Sequence, residues 1–230
     1  MKKLPFLLLL ILIGCSKDPN VNPDKNTFKD PRDGHVYKTV KIGEQTWMAE
    51  NLAYLPDVSP ITKGSYTEPY YYVYGYYGTS VSEAKANPNF TKYGVFYNGE
   101  SSKTACPDGW YLPIDEEWKV LEIHLGMSQL AADSVELRYS GSVGKKLKST
   151  SGWANNGNGD NKSGFNAIPS GIAGAWYDFG VRDSATVFWS ASVYGEYSSW
   201  SRLLYFITDA VYREGNDNVD GLSVRCFKYD

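Results

Sequence analysis

Apolar and polar residues alternate in several short runs of this chain, and in one place they repeat at helical spacing. His35-Val-Tyr-Lys-Thr-Val-Lys-Ile42 and Thr46-Trp-Met-Ala-Glu-Asn-Leu52 flank the turn Gly43-Glu44-Gln45 and predict an N-terminal hairpin with Trp47 in the core. Further strands are predicted over Tyr93–Tyr97, Trp110–Leu112, Thr186–Ser192, Trp200–Ile207 and Gly221–Phe227. Trp118, Leu121 and Leu125 fall at i, i+3 and i+7, which predicts a helix over Glu116–Leu125. Asp115, Glu116 and Glu117 open it, where the helix dipole favours negative charge, and Gly126 closes it. A second helix is expected over Ser128–Leu137, a helical turn at Ser82–Ala86 and a short basic turn at Val143–Lys148. Residues 155–164 carry no apolar side chain and read as an exposed loop. No repeat at a fixed period is present, which excludes a solenoid.

The first residues read differently. Lys2 and Lys3 precede an apolar run from Phe6 to Ile13, shorter than the about 20 residues a bilayer span needs, so the run reads as a signal peptide. Leu12-Ile13-Gly14-Cys15 resembles the lipobox of bacterial lipoproteins, which implies cleavage before Cys15 and lipid on its sulfur. The alternative is a secretory peptide with an incidental cysteine. Ser16–Asp30 is polar and broken by Pro19 and Pro23, and reads as a tether of at most about 50 Å. The expected organisation is a signal peptide over 1–14, a lipidated N-terminus and tether over 15–30, and one domain over 31–230.

Charge narrows the partners. Removing Lys2 and Lys3 takes the formal charge from −3 to −5 and leaves no basic block, so nucleic acid is excluded as an expected partner. With Cys15 lipidated, Cys106 and Cys226 remain in an oxidising compartment and are expected to form a disulfide worth about 4–5 kcal/mol in the chain-entropy model. Two buried free thiols are the alternative. Aromatic residues make up 15% of the chain, and 19 are tyrosines, a density suited to a binding surface.

Several segments together resemble one family: Asp33–Leu52, Cys106–Trp118, Gly164-Phe-Asn-Ala-Ile-Pro-Ser-Gly171, Phe188-Trp-Ser-Ala-Ser192 and Gly221-Leu-Ser-Val-Arg-Cys226. In this order they are similar to the Fibrobacter succinogenes major paralogous domain, common in surface lipoproteins of Bacteroidetes and Fibrobacteres. The usual threonine before the helix's acidic turn is Ile114 here. More distantly, the Leu-Pro-x-x-x-Glu-Trp and Gly-x-x-Val-Arg pieces resemble formylglycine-generating enzymes. That likeness implies an α+β, C-type-lectin-like domain with twisted antiparallel sheets, short flanking helices and long loops.

Candidate chemistry is sparse. The formylglycine-generating reaction needs a close pair of cysteines, and this chain has only Cys226 in the corresponding part. His35 and His124 read as surface residues, and nothing in spacing pairs Glu116, Glu117, Asp178, Asp183 or Asp217 for acid–base work. Asn156, Asn158 and Asp160 alternate as calcium ligands would, but one charge and no closing Glu favour ordinary Asx turns, so no metal and no cofactor are expected. The tyrosines of residues 66–77 read either as packing with hydroxyls at the rim or as a ligand platform. Candidate ligand-binding residues are Tyr70, Tyr72, Tyr74, Tyr76, Trp176, Tyr177, Tyr194 and Tyr197. The expected function is a non-catalytic, lipid-anchored outer-membrane binding module for a glycan or cell-surface protein. The alternatives are an assembly subunit and, third, an enzyme.

Overall fold

The computed structural model describes residues 21–22 and 26–229. The first strands are β1 (Val21–Asn22), β2 (Thr27–Lys29), β3 (Val36–Ile42), β4 (Gln45–Met48) and β5 (Tyr71–Tyr72). Then come α1 (Val81–Ala86), α2 (Pro88–Tyr93), β6 (Phe96–Tyr97), α3 (Gly99–Ser102), α4 (Asp115–His124), α5 (Gln129–Asp133), β7 (Glu136–Arg138) and α6 (Val143–Leu147). The chain ends through β8 (Ile172–Ala173), β9 (Phe179–Gly180), β10 (Ala185–Gly195), β11 (Ser198–Tyr205), β12 (Val211–Asp217), β13 (Leu222–Ser223) and β14 (Phe227–Tyr229).

The result is an α+β fold dominated by sheet. One sheet runs β1-β2-β3-β4-β14, so the last strand closes on the expected N-terminal hairpin, and a seven-stranded sheet runs β5-β6-β13-β10-β11-β12-β7. Ladders are antiparallel except β10 against β13. Alternation decides the packing. In β10, Val187 and Trp189 join one buried cluster while Phe188 joins another, and in β4, Met48 and Trp47 divide the same way. Each sheet therefore carries core on both faces, which is why Ala185–Ser190 is buried throughout. Cys106 and Cys226 form the expected disulfide.

Several expectations are corrected. Gly221–Phe227 is not one strand: Val224, Arg225 and Cys226 are buried where the chain crosses from β13 in one sheet to β14 in the other. The helix expected over Ser128–Leu137 ends at Asp133, and Glu136 turns at φ +62° so that Glu136–Arg138 can pair with β12. Residues 27–30 belong to the fold rather than the tether, because Phe28 enters the core and Asp30 is buried against Arg32. The readings on residues 1–20, including the signal peptide and lipidation of Cys15, lie outside the described residues. The loop at 155–164 is on the surface but pinned. A Cβ at Gly159 would lie 2.3 Å from the Lys148 carbonyl oxygen, and Asn158 Oδ1 accepts a hydrogen bond from the Trp153 N–H.

Helix α4 docks through charge as well as through Trp118 and Leu121. Arg202 of β11 and Arg213 of β12 face each other across the ladder, an arrangement that like charges disfavour. Asp115 and Glu122 of α4 lie over them. Asp115 accepts hydrogen bonds from Arg202 at 2.8 Å and from Arg213 at 2.7 Å. Glu122 accepts from Arg202 at 2.8 Å and from Arg138 at 2.6 Å. Burial works to raise the Asp115 carboxyl, but Arg213 and Arg202 hold it down to about 2.

Candidate functional site: an exposed aromatic cluster

Three loops converge on one aromatic surface. The first, around residues 61–70, is held by Asn98, which is wholly buried and uses its full amide capacity. Asn98 Nδ2 donates to the carbonyl oxygens of Ser65 and Glu68, each at 2.9 Å, and its Oδ1 accepts from the N–H groups of Tyr70 at 2.9 Å and Ser101 at 3.0 Å. Ser65 Oγ accepts from the N–H groups of Thr67 and Glu68, which tightens the turn under Tyr66. The second loop is the β8–β9 turn. Trp176 takes φ +69° there, and its N–H donates to the Ile61 carbonyl at 3.0 Å. Gly64 allows this approach, since a Cβ in its place would lie 2.8 Å from Ala175 Cβ. The third is the β10–β11 turn, where the Tyr197 carbonyl accepts from the Asn218 N–H at 2.8 Å.

Tyr66 joins the three. Its ring centroid lies 4.9 Å from that of Tyr197 and 6.3 Å from that of Trp176. Its hydroxyl donates to Asp217 Oδ2 at 3.2 Å. Trp176 is 51% exposed and Tyr197 53%, so both rings offer faces to a ligand. Tyr177, on the same turn as Trp176, is exposed. Carboxylates rim the cluster. The Tyr66 hydroxyl is pushed up by desolvation and by Asp217, and that of Tyr197 by its hydrogen bond to Glu196. Asp220 accepts from the Ala175 N–H at 3.2 Å, and burial, with Asp217 adding, pushes its carboxyl up to about 6.

The remaining candidates separate. Tyr72 is wholly buried and its hydroxyl donates to the Lys63 carbonyl at 2.8 Å, so it presents no ring to a ligand. Tyr70 and Tyr74 are partly buried against the same small cluster of Ile61, Tyr72, Phe96 and Ala173. Tyr76 packs on the main core and donates to Glu83 at 2.9 Å. For these, the packing reading of residues 66–77 describes the arrangement. Tyr194 is exposed but belongs to a second group: its ring lies 4.6 Å from Trp200, which carries the Arg213 guanidinium at 3.8 Å. Tyr66 belongs to the 66–77 run read as a possible platform but not to the named candidates, and nothing in the sequence assigns Asp217 and Asp220 to its rim. The turn chemistry of Gly64-Ser65 was the available signal, but nothing local shows which distant loops will meet there.

Among the described residues, no group of three or more His, Cys, Asp or Glu side chains is placed to hold a metal ion. No helix among them is long and apolar enough to cross a membrane. No curated protein and no solved structure matches the chain. The family model of the Fibrobacter succinogenes major domain matches residues 40–228, from the N-terminal hairpin to the closing strand, and the chain belongs to that family.

Proposed function

We propose that this chain is a lipid-anchored, non-catalytic binding module of the bacterial outer surface that holds glycans on the Tyr66–Trp176–Tyr197 cluster. The observation that carries the reading is the convergence of three loops on exposed ring faces rimmed by Asp217, Asp220 and Glu196. Flat aromatic faces suit the C–H faces of sugar rings, and the carboxylates suit their hydroxyls. The rings stand among acidic loop residues, which favours a sugar over the broad apolar face a protein partner would use. We further propose a C-type-lectin-like scaffold, supported by the twisted, mainly antiparallel sheets, the short helices and the long loops gathered at the site.

The test is a glycan array probed with the full chain beside Trp176→Ala and Tyr66→Ala. Binding should fall by about tenfold or more in each variant, equivalent to about 1.4 kcal/mol. Trp176→Ala should keep its melting temperature, because half of that side chain is already exposed. Absence of glycan binding by the parent chain would reject the reading in favour of an assembly subunit. Palmitate labelling that persists in Cys15→Ala would reject the anchor.

A further inference from the structure

A second concavity lies apart from the aromatic cluster, between the C-terminal end of α2, the start of β3 and the Asn166–Ile168 segment. Its volume is about 490 Å³, within the usual range of about 300–1,000 Å³ for small-molecule sites. Arg225 lies beneath its floor, with no exposed surface of its own. Its guanidinium donates only to neutral acceptors: Nε to Asn51 Oδ1 at 2.8 Å, Nη1 to the carbonyls of Met48 at 3.2 Å and Phe165 at 2.5 Å, and Nη2 to the Asn166 carbonyl at 3.1 Å. The guanidinium has five N–H groups, so one on Nη2 is left without an acceptor among the described residues. The charge sits over the rings of Phe165 at 4.6 Å and Phe188 at 5.4 Å, and no carboxylate pairs with it among the described residues.

The mouth repeats this bias. Lys92 lies with its ammonium 4.7 Å from the Tyr93 ring centroid and has no carboxylate partner among the described residues, and the His35 ring rests on Tyr37 at 4.3 Å. The Asn166 side-chain amide makes no hydrogen bond among the described residues, while its backbone, at φ +56°, is tied by the donation of its N–H to Asn161 Oδ1. Glu50 is the one acidic residue lining the cleft, and it is engaged: Oε2 accepts from the Lys38 N–H at 3.2 Å and Oε1 lies 3.7 Å from Lys38 Nζ. A cleft with locally positive charge thus opens on a chain of net charge −3.

We propose that this cleft binds a small ligand through a single carboxylate. Lys92 and the Asn166 amide take the carboxylate at the mouth, His35 flanks it, and the buried charge of Arg225 stabilises it from below. An uncompensated cation in a medium of low dielectric acts over a longer distance than one in water, so Arg225 contributes without touching the ligand. Glu50 at the rim disfavours a dianion, which makes a carboxylate a better occupant than a phosphate. Two sources share this chemistry: an acidic sugar and the C-terminus of a peptide.

The test is calorimetric titration of the full chain with glucuronate, glucose, N-acetylglycine and N-acetylglycinamide. His35 and Lys92 are exposed, so His35→Ala/Lys92→Ala should fold as the parent does. Glucuronate binding at least tenfold tighter than glucose, and weakened by about tenfold in the double variant, supports the site and names a sugar acid. The same pattern for N-acetylglycine over its amide supports it and names a peptide terminus. If neither acid outbinds its neutral counterpart, or if the double variant binds an acid as tightly as the parent does, the proposal is overturned. The aromatic cluster is untouched by these substitutions, so failure here leaves the glycan reading standing.

Discussion

Arg202 and Arg225 are both buried, yet the fold treats their charges in opposite ways. Arg202 meets two carboxylates, Asp115 and Glu122, each at 2.8 Å. Arg225 meets an amide oxygen and three backbone carbonyls and, among the described residues, no carboxylate. Burial pulls its pKa down to about 9, with Glu50 the opposing charge. Asp220 is the reverse case, a partly buried carboxylate that no cation pairs with among the described residues, and it is pushed up instead. The lesson is that hydrogen bonds can hold a charge inside a fold without cancelling it. A neutralised network serves packing alone, whereas an uncancelled charge leaves a field in any cleft beside it.

The largest break in this contrast is expected from Asp115→Ala, which strands Arg202 and Arg213 with one carboxylate fewer. The loss should be about 3–5 kcal/mol in denaturant unfolding, the range for removing one partner of a buried pair. Arg225→Met should cost less, about 1–3 kcal/mol. It leaves acceptors unpaired but also removes a buried charge that no carboxylate among the described residues pairs with directly. A loss exceeding that of Asp115→Ala would show that neutral acceptors hold a cation as firmly as carboxylates do, and the contrast would fail.

Acid sharpens it further. The Asp115 carboxyl is held down to about 2 in the fold, below its ordinary value of 3.8. Its stabilising contribution is therefore present above about pH 4 and lost as pH falls toward 2. Urea midpoints of the parent chain should drop across that window, and those of Asp115→Asn should drop less. Asp220 runs the other way. Its folded pKa of about 6 lies above its ordinary 3.8, so its stabilising effect is full below pH 4 and is lost as pH rises through 6. Asp220→Asn should accordingly stabilise the chain at pH 7, by less than about 1 kcal/mol given its partial exposure, and change nothing at pH 3.5. Thermal melts at the two pH values distinguish these outcomes.

The sites show the same division between local and distant causes. The hairpin of β3 and β4, the strands β10 and β11, and helix α4 were legible because their apolar periods are strong. β12 was not, because its inward position is Arg213 and a charged residue disguises the alternation. Asp115 and Glu122 escaped for the same reason: on α4 they share the buried face with Trp118 and Leu121, but a carboxylate reads as solvent-facing until its arginines are in view.

By itself, then, the order of residues determined the family, the α+β class and the pairing of Cys106 with Cys226. Each follows from a local pattern, a motif or a count. Only the tertiary structure decided which tyrosines are core and which are surface, that Tyr66 would join Trp176 to Tyr197, and that Arg225 would lie under a cleft with no carboxylate among the described residues paired to it. These depend on distances between loops far apart in the chain, where closure entropy and sheet order, not local period, select the neighbours.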